Sequence, residues 1–385
     1  MTDEIGVGII GASVDRGPNT NAHLPWARSA HVPAIQALPQ YRLRAVSTTK
    51  IETARIAAQT FGAEHGFGDA RQLIELPDID LVVVSVRVPY HYELVGAALD
   101  AGKHVYCEWP LALTTEQAGD LAARAANRKV QHMVGLQARA APAFCYVKDL
   151  LRQGYVGDPL SVNVSFAVPT WGREVEAPVA YLHDAANNAT LLSIYGGHTL
   201  DVICDLLGDV RELSALITRR YETTRIIETG ETREKTAPDQ IIVQGTLESG
   251  CVLSLHLQGG VRNLRGVEIA IRGTAGDLKL TTPGIIEVSP MTVFGALSTR
   301  SSGSSVEAAA SKELEMMSVP PEYRHVPPEL GEGPAVNVGE LYVRLGDAIL
   351  GSGACAPGFD VAAQRQALLD SIIEAAESGR RVSPG

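Results

Sequence analysis

The sequence predicts two unlike halves: an N-terminal doubly wound parallel sheet of α/β class, and a C-terminal α+β half built on an open, mostly antiparallel sheet. Three observations carry this. A short apolar run, Ile5–Gly11 (IGVGIIG), ends in glycine. Strand-like runs then alternate with helical stretches of about 10–15 residues, the pattern of βαβ units, whose crossovers make the strands parallel. Beyond residue 150 the runs alternate in polarity and come in hairpins, as in an antiparallel sheet with one less-buried face. At roughly 150 residues per domain, 385 residues make two domains, drawn at 1–138 and 139–385.

In order, Pro33–Leu38 has helical character, Leu43–Ser47 is a second strand and Ile51–Phe61 a second helix. Leu81–Val86 (LVVVSV) is a continuous β-branched run, expected of a strand covered on both faces. Tyr92–Ala101 is a helix stopped by Gly102, and His104–Cys107 and Val130–Leu136 are further strands. In the second half Leu160–Val168 and Glu212–Thr218 alternate. Gln240–Leu247 and Val252–Gln258 flank Glu248-Ser249-Gly250, and Val267–Arg272 and Asp277–Thr281 flank Gly273–Gly276, which reads as two hairpins. Leu297–Lys312, rich in Ser and Ala, and Ser318–Pro334, rich in Pro, read as loop with no packed element of their own. Val336–Ile349 and Val361–Glu377 are helical.

Charge and composition exclude several functions. Lys and Arg number 33 and Asp and Glu 44, a net charge of −11, which disfavours binding to phosphate backbones or anionic membranes. No run approaches the roughly 20 apolar residues of a membrane span. The acidic start passes directly into a strand, unlike a signal peptide, so a cytoplasmic protein is expected. The five cysteines form no CxxC pair and read as free thiols, and no HExxH or carboxylate cluster indicates a metal. His23, His31 and His65 read as surface or loop histidines.

Gly6, Gly8 and Gly11 spell GxGxxG, but the first two lie inside the strand, so the phosphate loop proper begins at Gly11-Ala12-Ser13 and runs to Gly17. Glycines there let a backbone approach a pyrophosphate, and the next helix N-terminus offers N–H groups. A site for NAD carries an acid at the end of the second strand for the ribose hydroxyls. Here Ser47-Thr48-Thr49-Lys50 offers hydroxyls and a cation, which suits the 2′-phosphate of NADP.

His104-Val105-Tyr106-Cys107-Glu108-Trp109-Pro110, after Ala101-Gly102-Lys103, resembles the AGKHVxxEKP segment of the glucose–fructose oxidoreductase/inositol dehydrogenase (Gfo/Idh/MocA) family. Val88-Pro89-Tyr90-His91, Gly196-Gly197-His198-Thr199-Leu200-Asp201 and the tail Ala376–Val382 resemble its other characteristic segments. Gln153–Asp158, Gln244–Leu247 and Gly276–Leu280 add a likeness, in order along nearly the whole chain, to the family's regulatory branch, the galactose-regulon repressors. The resemblance implies nicotinamide chemistry on a sugar- or polyol-like substrate and assembly through the open sheet face, as a dimer or dimer of dimers. The alternatives to it are a non-catalytic NADP-binding regulator and a glycosidase assisted by the cofactor. Where the family carries Lys in its EKP motif this chain has Trp109, and where it carries Asp four residues before the histidine this chain has Ile194.

The candidate site follows. His198 is the acid–base candidate. Asp201, three residues on and on the same helical face, is placed to orient it, and Tyr195 is the next proton-handling group. Trp109, Tyr181, His183, Asp184 and Arg139 are candidates for substrate contact. Cofactor contacts fall to Gly11, Ala12, Ser13, Ser47, Thr48, Thr49, Lys50, Val86, His91, Glu108, Trp109 and Gln137, with Glu108 implied by the resemblance to meet the nicotinamide ribose.

Overall fold

The structure, a computed structural model, describes residues 4–15, 25–298, 312–353 and 355–384. Six strands form one parallel sheet: β1 (Ile5–Ile10), β2 (Tyr41–Ser47), β3 (His65–Phe67), β4 (Leu81–Val84), β5 (His104–Glu108) and β6 (His132–Gly135), in the order β3-β2-β1-β4-β5-β6. β1 and β4 are buried along their whole length, which is why they read as unbroken apolar runs. The connecting helices are α1 (Val32–Ala37), α2 (Ile51–Phe61), α3 (Ala70–Ile74), α4 (His91–Asp100) and α5 (Thr115–Arg128). The chain order reverses between β1 and β4, the switch point at which such sheets hold their ligands beyond the strand ends.

After α6 (Pro142–Arg152), β7 (Pro159–Ala167) opens the second sheet. A short β8 (Glu174–Val175) and α7 (Gly197–Leu207) follow, then β9 (Val210–Thr218), β10 (Thr223–Ile226), β11 (Thr232–Glu234), β12 (Gln240–Leu247), β13 (Val252–Gln258), β14 (Gly266–Gly273), β15 (Gly276–Thr282), β16 (Thr292–Leu297) and β17 (Glu315–Met317). Eight of these form a sheet in the order β17-β16-β15-β14-β7-β13-β12-β9. Both expected hairpins are present, β12–β13 and β14–β15. The pairing of β7 with β13 is parallel and the other pairings are antiparallel, so the sheet is mixed. Val162, Val164, Phe166, Leu253, Leu255 and Leu257 point into a core shared with α6 and α7, while Asn163, Ser165 and Ser254 leave the opposite face open.

The last helices, α8 (Pro334–Ile349) and α9 (Phe359–Ser378), return to the first sheet. α8 packs on α1 and β6, and α9 packs on α5 and β9. Val338, Leu341, Tyr342 and Leu345 of α8 share a core with Ile5, Val7 and Ile9 of β1 and with Tyr106. The Pro-rich segment after Ser318 is more ordered than its composition suggests. Val326 is buried, and the Glu340 carboxylate accepts from the N–H groups of His325 (2.7 Å) and Val326 (3.1 Å). Of the Ser/Ala-rich stretch, 299–311 lies outside the described residues. Among the described residues no helix is long and apolar enough to cross a membrane.

Candidate dinucleotide and substrate site

β1 ends where the backbone must turn sharply past β4. Gly11 has φ +96°, and a side chain there would meet the Ser85 carbonyl oxygen at 2.2 Å and Val86 Cγ1 at 2.8 Å, so the crossing admits only glycine. The turn uses its own donors: the N–H groups of Gly11 (2.9 Å) and Ala12 (3.2 Å) bond the Ser47 carbonyl, and that of Ser13 bonds the Gly11 carbonyl (2.9 Å). These three residues therefore shape the floor of the crevice, and their N–H groups are already engaged. Arg16 and Gly17 of the expected loop fall outside the described residues. The next described helical turn begins at Ala27, so the connection is long.

At the end of β2, Ser47 is buried, while Thr49 and Lys50 are exposed. The Thr48 hydroxyl donates to the Lys50 carbonyl (2.9 Å) and lies 2.6 Å from the Thr53 hydroxyl, stabilising the start of α2. Lys50 has no ion-pair partner among the described residues. His91 sits differently from its expected role. Its Nδ1 lies 2.8 Å from the Pro110 carbonyl and its Nε2 3.0 Å from the Val86 carbonyl, and burial holds its pKa below the ordinary value. Both nitrogens are thus committed to backbone, and His91 braces the loops after β4 and β5.

Glu108 ends β5 with its Oε1 2.9 Å from Nε2 of His31, but off the hydrogen-bond direction, so that oxygen keeps no hydrogen-bond partner. His31 is a correction to its reading as a surface residue: it is fully buried, and its Nδ1 lies 2.8 Å from the Tyr342 hydroxyl of α8. His65 is exposed, as expected, and His23 lies outside the described residues. Gln137, just past β6, is buried with its Oε1 unpartnered. Trp109 is an interior anchor. Its Nε1 donates to the Ser193 carbonyl (2.6 Å), and its ring packs so closely on Gly197 that a Cβ there would lie 2.4 Å from Nε1. Its indole N–H is consequently spent.

α7 starts at Gly197 and places His198 in its first turn. His198 is buried, its Nδ1 has no partner, and burial drives its pKa down to about 3. Asp201 does not orient it. Its two oxygens receive Arg139 through Nε (2.7 Å) and Nη2, and Arg365 Nε of α9 lies 3.2 Å away. Arg139 reaches Asp205 as well, and Arg365 reaches Asp209 at 2.8 Å. Asp201 and Arg139 are therefore parts of a buried ion-pair network joining α7 to α9 and the turn after β6. The sequence pattern missed this because the competing guanidinium groups come from 62 and 164 residues away.

Tyr195 stacks on Phe166 (5.1 Å) and meets Trp171 edge-on (5.2 Å), and burial raises its pKa. The Tyr181 ring lies under Arg87, 4.4 Å from the guanidinium carbon, a contact from the end of β4 to the second half of the chain. His183 is buried with Nδ1 unpartnered and a pKa lowered to about 4 by burial and the Lys235 charge. Asp184 is exposed and accepts from the Ala186 N–H (3.0 Å), closing a turn. The residue that sequence reasoning missed is Glu287, between β15 and β16. It is buried, its Oε2 is unpartnered, and burial pushes its carboxyl up to about 8. The available signal was a lone acid within the apolar run Ile285-Ile286-Glu287-Val288.

A parallel sheet with a glycine crossing at its switch point and orphaned acceptors on the ends of β5 and β6 defines a Rossmann-type dinucleotide-binding protein. Residues 5–136 match the family model described as "Oxidoreductase family, NAD-binding Rossmann fold", and residues 142–282 match "Gal80p, C-terminal domain". A dehydrogenase of Aspergillus oryzae, aclE, is 32% identical over 77% of this chain and 83% of its own. The galactose/lactose metabolism regulatory protein GAL80 of Saccharomyces cerevisiae is 30% identical over 75% of this chain and 70% of its own. Levoglucosan dehydrogenase in complex with NADH and L-sorbose superposes with a TM-score of 0.83 at 21% identity, over 99% of both chains, a likeness of fold. The chain belongs to the Gfo/Idh/MocA oxidoreductase family.

Proposed function

We propose that the protein is an NADP(H)-dependent oxidoreductase acting on a hydroxyl or carbonyl of a sugar- or polyol-like compound. The observation that carries the cofactor reading is the end of β2, which has no carboxylate and presents Lys50 unpaired and exposed. A cation at this point favours a 2′-phosphate over a bare ribose hydroxyl. The residues present fit a nicotinamide dinucleotide. Gln137 Oε1, just past β6, is a buried acceptor without a hydrogen-bond partner, and Glu108, its Oε1 2.9 Å from His31 Nε2, stands at the end of β5. When bound, the dinucleotide supplies the hydride acceptor or donor. His198 is neutral at physiological pH, so in the desolvated site it serves as a hydrogen-bonding partner of the reacting oxygen. A relative named as a levoglucosan dehydrogenase, from Pseudarthrobacter phenanthrenivorans and 27% identical over 49% of this chain, supports a small polyhydroxylated substrate.

A second reading, an NADP-binding regulator without turnover, draws on one geometric fact. Trp109 and Asp201 are both locked into the scaffold, leaving few titratable groups beside His198. The match to the Gal80p C-terminal domain favours the same reading. The nicotinamide absorbance separates the two. An oxidoreductase changes it with some member of a panel of sugars, polyols and carbonyl compounds, and a regulator leaves it constant throughout. The cofactor reading is tested by titration with both dinucleotides. NADP(H) is expected to bind more tightly than NAD(H), and Lys50→Ala to remove roughly 10- to 100-fold of that preference; equal affinities in the wild type would refute it. The open face of the second sheet is the surface proposed for homodimerisation, which light scattering measures directly.

A further inference from the structure

The chain carries a net charge of −11, so a cavity in which cations outnumber acids needs a reason. One such cavity, of about 260 Å³, opens where α6, α7, α8 and the segment before α9 meet the turn after β6. Four cations line it: Arg139 from the turn, Lys148 and Arg152 from α6, and Arg344 from α8. Among the described residues two acids line it, Asp149 of α6 and Asp205 of α7, which leaves a surplus of two positive charges. Both acids are occupied. Asp205 Oδ1 lies 2.6 Å from Lys148 Nζ and 3.5 Å from Arg139 Nη1. Asp149 lies 3.6 Å from Arg152 Nη1 and accepts from the Tyr323 hydroxyl at 3.0 Å. Behind the wall, Asp201 is shared between Arg139 and Arg365. Glu340, one turn before Arg344 on α8, is spent on the N–H groups of His325 and Val326. Arg344, half-buried, therefore has no carboxylate partner among the described residues. Its Nη2 donates to Cys145 Sγ at 3.2 Å, and burial holds that thiol's pKa above its ordinary value, so the sulfur brings no charge.

We propose that this cavity is a binding site for a doubly charged phosphoryl group, with the Arg344 guanidinium as its principal donor and Lys148 and Arg152 meeting the remaining oxygens. A guanidinium presents a planar fork of N–H donors that fits phosphate oxygens in pairs, and Arg344 has that fork free of any acid. Lys148 keeps N–H donors beyond the one directed at Asp205. The charge of the ligand follows from the surplus. A phosphate monoester carries roughly −1.5 to −2 at pH 7, which compensates both unmatched cations, whereas a carboxylate compensates one. None of the residues expected to touch the dinucleotide lines this cavity, so the site is separate from the crevice at the switch point and stands under either reading of that crevice.

Calorimetric titration of the full chain, in phosphate-free buffer with and without NADP, tests this. The probes are glycerol 3-phosphate, inorganic phosphate and glycerol. Both phosphates, or the monoester alone, are expected to bind, with glycerol silent. A monoester that binds more tightly than the free ion marks an esterified ligand, and equal affinities mark the free ion; either supports the site. Arg344→Ala is expected to weaken binding about 10- to 100-fold and to leave the affinity for NADP unchanged. Arg152→Gln, at an exposed position where folding is not at stake, should weaken it several-fold. No heat from either phosphate at millimolar concentration would overturn the proposal. So would phosphate binding that NADP abolishes, since the ion would then sit in the crevice, or binding that Arg344→Ala leaves intact. If Arg344→Ala does not fold, Arg152→Gln and Lys148→Gln decide the matter: unchanged affinity in both would overturn the site, and weakened binding would support it.

Discussion

Asp201 holds two guanidinium groups at once, those of Arg139 and Arg365, in the dry contact between α7 and α9. Removing one partner from a buried ion network leaves uncompensated charge, which costs about 3–5 kcal/mol. Asp201→Asn should therefore lower the thermal midpoint by many degrees, while the cofactor dissociation constant measured well below that midpoint stays near the wild-type value. A role in orienting His198 would give the opposite split: near-normal stability and a changed pH–rate profile. The residue types of the site were legible in the sequence, because His198, Glu108, Trp109 and Gln137 stand at strand and helix ends. Their partners were not. Spacing of three residues suggested that Asp201 serves His198, yet carboxylate geometry is decided by whichever guanidinium the tertiary fold brings closest. Glu287 escaped notice for the complementary reason, since nothing local distinguishes a buried acid from an exposed one until the surrounding layers are assembled.

At the scale of elements, the junction between β5 and α7 is a contact of ring on glycine. An alanine at Gly197 would set its Cβ 2.4–2.7 Å from three atoms of the Trp109 indole, which is itself tethered to the Ser193 carbonyl. Neither partner has room to retreat. Overpacking of this kind costs about 1–3 kcal/mol, so Gly197→Ala should lower the denaturant midpoint, and Trp109→Leu in the same chain should recover part of the loss. Additive effects of the two substitutions would mean that they do not meet. The strands of the first sheet were legible because β-branched runs covered on both faces leave a strong composition signal. α3 and β3 were not, being five and three residues long. The parallel pairing of β7 with β13 was also hidden: hairpin signals report which strands are adjacent in sequence, and β7 and β13 are brought together only after five intervening strands and a helix have been placed.

For the molecule as a whole, buried titratable groups set opposing slopes of stability with pH. His198 and His183 are neutral in the fold, with pKa values of about 3 and about 4 against 6.5 ordinarily. Below pH 6.5 the unfolded chain takes up protons that the folded chain refuses, so the stability present above 6.5 is lost as pH falls toward 4. Glu287 acts in the other direction. Between 4.5 and about 8 the folded chain keeps a proton that the unfolded chain has released, so its contribution is full below 4.5 and is lost as pH rises to about 8. Melting curves from pH 4 to 9 should show both effects: Glu287→Gln should flatten the decline on the alkaline side and leave the acid side unchanged. An unaltered alkaline slope would place that titration elsewhere. The return of α8 to the first sheet carries a further consequence, for biosynthesis. Tyr342 stacks on Tyr106 at 5.2 Å and reaches His31, yet it leaves the ribosome more than two hundred residues after Tyr106. At about 5–20 residues per second the nascent sheet waits on the order of tens of seconds with that face uncovered. A truncated chain ending at residue 138 would keep the face uncovered permanently and should accumulate as aggregate, and supplying residues 334–385 as a separate polypeptide during expression should return part of it to solution.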